Sequence, residues 1–298
     1  MNYQEEYAFR QAAVEEALSA WLPRADAVEG KLCESMIYSM TAGGKHVRPL
    51  LMYEACRLFG GNTRELAPFM TAIECIHVSS LVHDDLPAID NDYLRRGKPS
   101  THAAYGEPLG ILSGDALMNY AYELLLTGIS QAQDMKNAVR AAVIIAEKAG
   151  YAGMLGGQSL DVMNEKQNRT DLTAAELDNI YERKTAALLE ASLSGGAAFA
   201  GADEESLLLL TEAGSFSGKA FQIKDDILDV TESSETLGKP ASSDEKNGKT
   251  TYVTLLGLSA AQEEVEKLTE AAVERLDRLG RDSDFLKEFL LRLVLRKN

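Results

Sequence analysis

Apolar residues recur at three- and four-residue steps along most of the chain, which is the spacing of one face of an α-helix. Leu66, Met70 and Ile73, for example, fall on one such stripe. Helix-favouring Ala, Leu, Glu and Met dominate, and only 7 residues are proline. The pattern predicts helices at about residues 3–20, 28–41, 48–59, 64–84, 109–127, 134–149, 151–165, 173–199, 203–229, 260–279 and 283–296.

Two stretches interrupt this helical pattern. Residues 85–108 contain three prolines and two glycines, and residues 231–250 are polar and rich in turn-forming residues. Neither stretch coincides with a change in composition that would mark a domain boundary. The sequence therefore predicts a single all-α domain that covers residues 1–298.

The composition narrows the possible classes of function. The formal net charge of −16 argues against nucleic acid or an anionic membrane as the main partner, since both attract positive charge. No apolar run is long enough for stable membrane insertion, and the N-terminus lacks the features of a signal peptide. The 3 cysteines are scattered and indicate neither a disulfide framework nor a zinc site. We expect a cytoplasmic protein, and metal ions would still allow it to bind an anionic small molecule.

An acidic cluster follows the helix that is predicted for residues 64–84. Asp84 and Ser80 share one helix face, whereas Asp90 would point elsewhere if the helix continued. Pro87 disfavours helical backbone at the preceding residue, so the helix should end there and Asp90 can return towards Asp84. A solvated helix end is the simpler alternative. However, negative charge at a helix C-terminus opposes the helix dipole, so a cation is expected nearby.

A second acidic cluster lies in an apolar helical stretch. Asp225 and Asp229 are four positions apart and share one face, with Asp226 beside them, so their charges repel unless the face is solvated or binds a cation. Together the clusters predict Mg²⁺, which prefers oxygen ligands and bridges a few carboxylates to substrate phosphates. Basic residues suited to phosphates lie near glycine, proline or acidic motif positions: Lys45, Arg48, Arg95, Arg96, Lys184, Lys239 and Lys249.

These motifs resemble those of the trans-prenyl diphosphate synthases in their bacterial farnesyl and geranylgeranyl form. The chain carries, in the family's order, GGKHVRP (43–49), DDLPAID (84–90) followed by LRRG, GGQ (156–158), KT (184–185) and FQIKDDILD (221–229). The resemblance implies a single-domain helical bundle of the isoprenoid synthase type around a deep central cavity. It also implies a homodimer that condenses isopentenyl diphosphate head to tail with dimethylallyl, geranyl or farnesyl diphosphate. The implied cofactor is Mg²⁺, with three ions in the closed complex and Mn²⁺ as a substitute.

The same resemblance implies roles for individual residues. The metal ligands would be Asp84, Asp90 and Asp225, supported by Asp85, Asp226 and Asp229. Isopentenyl diphosphate would bind at Lys45, Arg48, His77 and Arg96. The allylic diphosphate would bind at Arg95, Lys184, Lys239 and Lys249, with Thr185 and Gln222 near the reacting carbons.

Other interpretations fit part of the pattern. A terpene cyclase also ionises a diphosphate with an aspartate-rich motif, but it needs no counterpart of the basic segment at residues 43–49. A non-catalytic partner subunit would typically lose one aspartate motif, and both are intact here. His77 also fits an ordinary packed histidine. Val253 departs from the family pattern, because proline commonly follows the preceding tyrosine in relatives.

Product length is the property that the sequence determines least. In farnesyl-forming relatives an aromatic residue five positions before the first aspartate closes the pocket, whereas this chain has Ser79 there, followed by Ser80. One helical turn of about 5.4 Å gives room for roughly one more isoprene unit, so C20 product becomes accessible. Tyr120 or Tyr122 could supply a replacement floor. We expect mainly C15 product, with C20 also formed or even dominant.

Overall fold

The computed structural model describes residues 2–24, 30–167, 169–231 and 250–295. Its helices are α1 (Tyr3–Ala20), α2 (Gly30–Met40), α3 (Val47–Leu58), α4 (Ala67–Asp84), α5 (Thr101–Tyr105), α6 (Glu107–Gln131), α7 (Met135–Ala149), α8 (Met154–Lys166), α9 (Ala174–Tyr181), α10 (Ala187–Phe199), α11 (Glu204–Thr231), α12 (Tyr252–Leu256), α13 (Leu258–Asp277) and α14 (Asp284–Leu295). A π-helical turn at Glu182–Ala186 joins α9 to α10, and β1 (Leu94–Arg95) pairs antiparallel with β2 (Lys98–Pro99). Within these ranges no helix has the length and apolar character needed to cross a membrane.

Two largely buried helices, α4 and α10, form the centre of the bundle. Helix α4 packs along α6 and also contacts α1, α2, α3, α7 and α10, and every residue from Ala67 to Ile76 is buried. Helix α10 is buried over its whole length between α3, α7 and α11. Because these helices are covered on all sides, their apolar residues are not confined to one stripe. The C-terminal end of α4 and the π-helical turn before α10 are the parts of this core that carry the acidic and basic motif residues.

The two ends of the described chain pack together against α3. The guanidinium of Arg10 in α1 lies 4.0 Å from the ring centroid of Phe285 in α14. Its Nε donates a hydrogen bond of 2.5 Å to Oε1 of the buried Glu54 in α3. Helices α1 and α14 therefore close one side of the same bundle.

The helical prediction is confirmed for most elements to within a few residues, and it is wrong in four places. The stretch predicted as one helix at residues 173–199 is divided by the π-helical turn. The short helices α5 and α12 were not predicted, and neither was the β1–β2 hairpin. The hairpin turn consists of Arg96 and Gly97 with φ of 54° and 76°, and positive φ at both positions is typical of a type I′ turn. An arginine at the first of these positions gives no turn signal in the sequence.

The predicted polar loop at residues 231–250 falls mainly on residues 232–249, which lie outside the described residues. Lys239 and Lys249 belong to this segment, so their roles stay predictions from the resemblance.

Candidate active site

The first aspartate motif lies where α4 ends and the chain turns back. Asp84 is the last residue of α4, and the backbone N–H of Asp90 donates to the Asp84 carbonyl at 2.9 Å. The N–H of Asp92 donates to the Asp85 carbonyl at 3.1 Å. The predicted return of Asp90 to the end of the helix is therefore confirmed, with Pro87 in the intervening turn.

Asp84 is a partly buried carboxyl group among charges of both signs. Burial raises its pKa to about 7, nearby Lys184 and Arg95 oppose this rise, and Asp90 adds to it. Nε2 of Gln158 in α8 donates to Oδ1 of Asp84 at 2.5 Å. A carboxyl group of this kind is costly to ionise alone, and a bound divalent cation would favour its ionised form.

Asp85 has a different environment from Asp84, although the two are adjacent. Only 2% of Asp85 is exposed, and its Oδ1 accepts a 2.9 Å hydrogen bond from Nε of Arg95 on the hairpin. Arg95 also lies 3.4 Å from Oδ2 of Asp92. Burial raises the pKa of Asp85 and the Arg95 guanidinium opposes this rise. The Asp85 carboxylate therefore anchors the hairpin that carries Arg95.

The second aspartate motif lies within α11. Asp226 and Asp229 are buried, and Asp225 is partly exposed. Oδ2 of Asp226 accepts hydrogen bonds from the phenol of Tyr181 at 2.5 Å and from the backbone N–H of Tyr252 at 3.2 Å. The Asp226 carboxylate therefore joins α11 to α9 and to the start of α12.

The π-helical turn packs against α8, whose Gln158 contacts Asp84, and against α11, which carries the second motif. Nζ of Lys184 forms a 2.5 Å ion pair with Oδ2 of Asp161 in α8, and Lys184 is also close enough to Asp84 to lower its pKa. Oγ1 of Thr185 donates to Oε1 of Gln222 in α11 at 2.8 Å. A side chain at Gly157 would overlap the backbone nitrogen of Lys184, so this close approach requires glycine. The turn thus brings the KT, GGQ and FQ segments together.

A basic cluster lies beside α4, about two turns before Asp84. Burial lowers the pKa of Arg48 to about 10, and it also lowers the pKa of Arg96, whose guanidinium donates to the Gly43 carbonyl. Burial together with the charge of these arginines holds the pKa of His77 well below its usual value, so His77 is neutral near pH 7. Lys45 lies on the same GGKHVRP segment and is exposed. Three of the four residues predicted for isopentenyl diphosphate therefore influence one another electrostatically.

The acidic residues that the structure describes do not form a closed metal cage. Among the described residues, no three His, Cys, Asp or Glu side chains converge tightly enough to hold a metal by themselves. Mg²⁺ commonly binds one or two carboxylates together with waters and substrate phosphates. The arrangement of Asp84 beside Asp90, with basic groups nearby, fits a metal that is bound together with a diphosphate.

Comparison with known proteins decides between the families compatible with this site. The family model described as polyprenyl synthetase matches residues 29–285. The chain belongs to the polyprenyl synthetase family. The farnesyl diphosphate synthase of Geobacillus stearothermophilus is 43% identical over 266 residues, which cover 89% of this chain and 88% of that protein. The chloroplastic geranylgeranyl pyrophosphate synthase of Catharanthus roseus is 44% identical over 246 residues, which cover 83% of this chain and 68% of that protein.

A solved structure agrees with this membership of the polyprenyl synthetase family. The crystal structure of a geranyltransferase from Helicobacter pylori, complexed with magnesium and isoprenyl diphosphate, superposes with a TM-score of 0.84 at 32% identity. The match covers 99% of this chain and 97% of that chain. The predicted all-α fold of the isoprenoid synthase type is confirmed, and the family makes the chain a prenyltransferase.

The residues predicted to set product length lie on α4 and α6 of this polyprenyl synthetase fold. Ser79 is fully buried and its hydroxyl donates to the Ile76 carbonyl at 2.8 Å, while Ser80 is partly buried. The Tyr120 hydroxyl donates to the Trp21 carbonyl at 3.0 Å, beside a cavity of about 850 Å³ between α2 and α6. Tyr122, the alternative floor, is 37% exposed.

Sequence reasoning missed four residues that contact the predicted site. Gln158 was noticed only as part of GGQ, and Glu74, Asp161 and Tyr181 were not singled out. Each is a polar side chain that is buried or that contacts a motif carboxylate or basic group. Polar residues at buried positions of an apolar helix are the one sequence signal that could have identified Glu74 and Asp161.

Proposed function

We propose that this prenyltransferase condenses isopentenyl diphosphate head to tail with dimethylallyl, geranyl and farnesyl diphosphate, and that C15 and C20 diphosphates are its products. The observation that carries the proposal is the partly buried Asp84, which lies among Asp90, Lys184 and Arg95 at the end of the central helix. Acids that suit a cation and bases that suit phosphate meet at this one place. The names of the relatives and of the magnesium-bound neighbour support the same reaction.

We call Asp84, Asp90, Asp225 and Asp229 the outer aspartates of the two motifs, and Asp85 and Asp226 the inner aspartates. The metal would be held by outer aspartates. Asp84, Asp90 and Asp225 are the proposed ligands of three Mg²⁺ ions, for which Mn²⁺ can substitute. Bound Mg²⁺ would neutralise charge on the departing diphosphate. Asp85 and Asp226 make strong contacts to protein donors, which suits residues that position the motifs. Asp229 is buried on the face of Asp225 and is proposed to support it.

The basic residues would divide the two diphosphates between them. Arg95 and Lys184 lie next to Asp84 and are proposed to hold the allylic diphosphate, together with Lys239 and Lys249. Lys45, Arg48, His77 and Arg96 form the proposed site for isopentenyl diphosphate. When the allylic carbon–oxygen bond breaks, its electron pair leaves with the diphosphate, and cationic side chains stabilise that charge.

The allylic cation must then meet only the isopentenyl double bond. The new carbon–carbon bond would form between the allylic cation and the terminal carbon of that double bond, and a proton would then pass from the isopentenyl unit to the released diphosphate, which restores a double bond. Thr185 and Gln222, joined by a hydrogen bond, are proposed to lie beside the cation, where their oxygen dipoles can stabilise it. The growing chain would extend into a cavity along α4, whose buried apolar surface excludes water.

The assembly is proposed to be one domain per chain and a homodimer. The packing of α1 and α14 beyond the ends of the family match supports a single domain over residues 1–298. Apolar side chains at four-residue steps on α7 support a dimer face, because Met135, Val139 and Val143 are 57%, 42% and 48% exposed. Leu126 on the neighbouring α6 is 68% exposed.

The reaction is tested by incubating the protein with labelled isopentenyl diphosphate, Mg²⁺ and each allylic diphosphate in turn, followed by sizing of the products. We expect chain elongation that depends on both substrates and stops when EDTA is added. Cyclisation of an allylic diphosphate without isopentenyl diphosphate would instead indicate a terpene cyclase. No product under any combination would contradict catalysis by this chain.

A further inference from the structure

A buried carboxylate lies inside the basic cluster beside α4. Glu74 is 1% exposed and stands one helical turn before His77. Its Oε1 lies 2.9 Å from Nδ1 of His46, and its Oε2 has no hydrogen-bond partner among the described residues. A carboxylate repels a diphosphate, so its burial at a proposed diphosphate site requires a physical reason.

One reason is the charge of the neighbouring arginines. Burial lowers the pKa of Arg48, Glu74 opposes this change, and Arg96 adds to it. Glu74 likewise opposes the lowering of the Arg96 pKa by burial. Nε of Arg48 is also buried without a partner among the described residues. Two guanidinium groups in such surroundings repel each other, and a buried carboxylate offsets that repulsion.

The second reason is the backbone of the GGKHVRP segment. Gly43, Gly44 and His46 have φ of 91°, 135° and 43°, and the last is unfavourable for a residue with a side chain. His46 precedes α3, yet its ring does not cap that helix and contacts Glu74 instead. A side chain at Gly44 would lie 2.6 Å from Nη1 of Arg96. The turn that carries Lys45 is therefore held by Glu74 on α4 and by Arg96 on the hairpin.

We infer that Glu74 is a positioning residue for the site of isopentenyl diphosphate: through His46 it holds the Lys45 turn in its binding arrangement before the substrate arrives, and its charge offsets the repulsion between Arg48 and Arg96. This inference rests on the proposed function and adds a residue that does not itself contact the substrate. The direction in which diphosphate affinity changes when Glu74 loses its charge tests the inference. Simple charge repulsion predicts that removal of the negative charge strengthens diphosphate binding, whereas loss of positioning weakens it.

The kinetic test uses Glu74→Gln, which keeps the shape of the side chain and removes its charge. We expect KM for isopentenyl diphosphate to rise about tenfold, the size of effect that follows from losing a charged hydrogen-bond partner. We expect kcat to change less than about threefold and KM for geranyl diphosphate to stay constant. An unchanged or lower KM for isopentenyl diphosphate, or an equal rise for both substrates, would overturn the inference.

Glu54→Gln is the matched control, because Glu54 is another buried acid in contact with two arginines, Arg10 and Arg57, outside the site. It should lower the free energy of unfolding without changing either KM. A rise in KM for isopentenyl diphosphate in this control would show a general effect of a weakened fold and would overturn the specific role of Glu74.

Binding without metal separates this inference from the proposed function. In EDTA, calorimetric titration with inorganic pyrophosphate reports on the basic cluster, and we expect Glu74→Gln to bind about tenfold more weakly than the wild type. His46→Asn provides a second variant, since asparagine tolerates positive φ, and should weaken binding about threefold. If Glu74→Gln does not fold, unchanged binding by His46→Asn overturns the inference. A wild type that forms no product refutes the proposed reaction, and the metal-free titration still decides the role of Glu74.

Discussion

The two aspartate motifs present their outer carboxylates by different kinds of local structure. In the first motif a helix ends at Asp84, and a backbone hydrogen bond from Asp90 closes the turn that brings the second acid back. In the second motif helical periodicity alone places Asp225 and Asp229 on one face of α11. The first arrangement depends on a turn after α4, whereas the second depends on the integrity of one long helix.

The inner aspartates of the two motifs differ in their partners. Asp85 is held by a cation, the Arg95 guanidinium on the hairpin. Asp226 is held by neutral donors, the Tyr181 phenol and the Tyr252 backbone N–H. Both inner residues act as anchors, the first through a cation and the second through the two neutral donors Tyr181 and Tyr252. An Asp→Asn substitution keeps an acceptor oxygen and removes the charge, so it distinguishes the two.

The largest effect is expected when an outer aspartate is changed. Asp84→Asn and Asp225→Asn should each lower kcat more than a hundredfold, because loss of charge stabilisation at the departing diphosphate costs at least about 3 kcal/mol. Steady-state kinetics with geranyl and isopentenyl diphosphates provides the measurement. Glu16→Gln, at an exposed acid on α1, is the control and should leave kcat unchanged. Near-normal turnover in either folded variant would refute its assignment as a metal ligand.

Substitutions of the two inner aspartates should lower the free energy of unfolding by different amounts. Asp85→Asn should lower the free energy of unfolding by about 2 kcal/mol, because Arg95 loses its charged partner. Asp226→Asn should cost about 1 kcal/mol or less, since the amide oxygen still accepts from Tyr181 and Tyr252. Urea denaturation measures both values. Equal losses, or a larger loss for Asp226→Asn, would show that the charge of Asp85 is not what holds the hairpin.

The two motifs also differ in a third respect. Helix α4, which leads to the first motif, is proposed to line the product cavity, whereas no such role is proposed for α11. Ser79→Tyr, five residues before Asp84, should shift products towards shorter chains by filling about one turn of that cavity. Ser79→Ala keeps the size of the side chain and should leave the distribution unchanged. Chromatography of the dephosphorylated products measures both. A distribution that Ser79→Tyr does not shift, or a wild type that stops at C10, would refute Ser79 as a determinant of length.

The local parts of both motifs could be predicted from the sequence, and their remote contacts could not. Pro87 predicts the end of α4, and the four-residue spacing predicts the shared face of Asp225 and Asp229. Tyr181 lies 45 residues from Asp226 along the chain, so only packing of α9 against α11 brings them together. The π-helical turn could not be predicted either. The sequence of Glu182–Ala186 has the pattern of a continuous α-helix, and no sequence pattern distinguishes a π-helical turn from it.

The last prediction about a single residue concerns pH and the basic cluster beside α4. The pKa of His77 in the folded protein is well below its usual value, whereas unfolded histidine titrates near 6.5. Below about pH 6.5 the unfolded chain therefore binds a proton that the folded protein does not, so the free energy of unfolding falls as pH falls. The slope from this residue is at most about 1.4 kcal/mol per pH unit. His77→Gln should reduce the slope measured by urea denaturation between pH 6.5 and 5, and an identical slope would contradict a neutral buried His77.

The assignment of the metal ligands is tested most directly by a crystal structure of the protein with Mg²⁺ and pyrophosphate. We expect Mg²⁺ at about 2.1 Å from carboxylate oxygens of Asp84, Asp90 and Asp225, with pyrophosphate oxygens completing the coordination. Asp85 and Asp226 should keep their hydrogen bonds to Arg95 and Tyr181. Mg²⁺ ions bound by Asp85 or Asp226 instead would contradict the division of each motif into outer ligands and an inner anchor. The same conclusion would follow if pyrophosphate were bound and no Mg²⁺ lay between the two motifs.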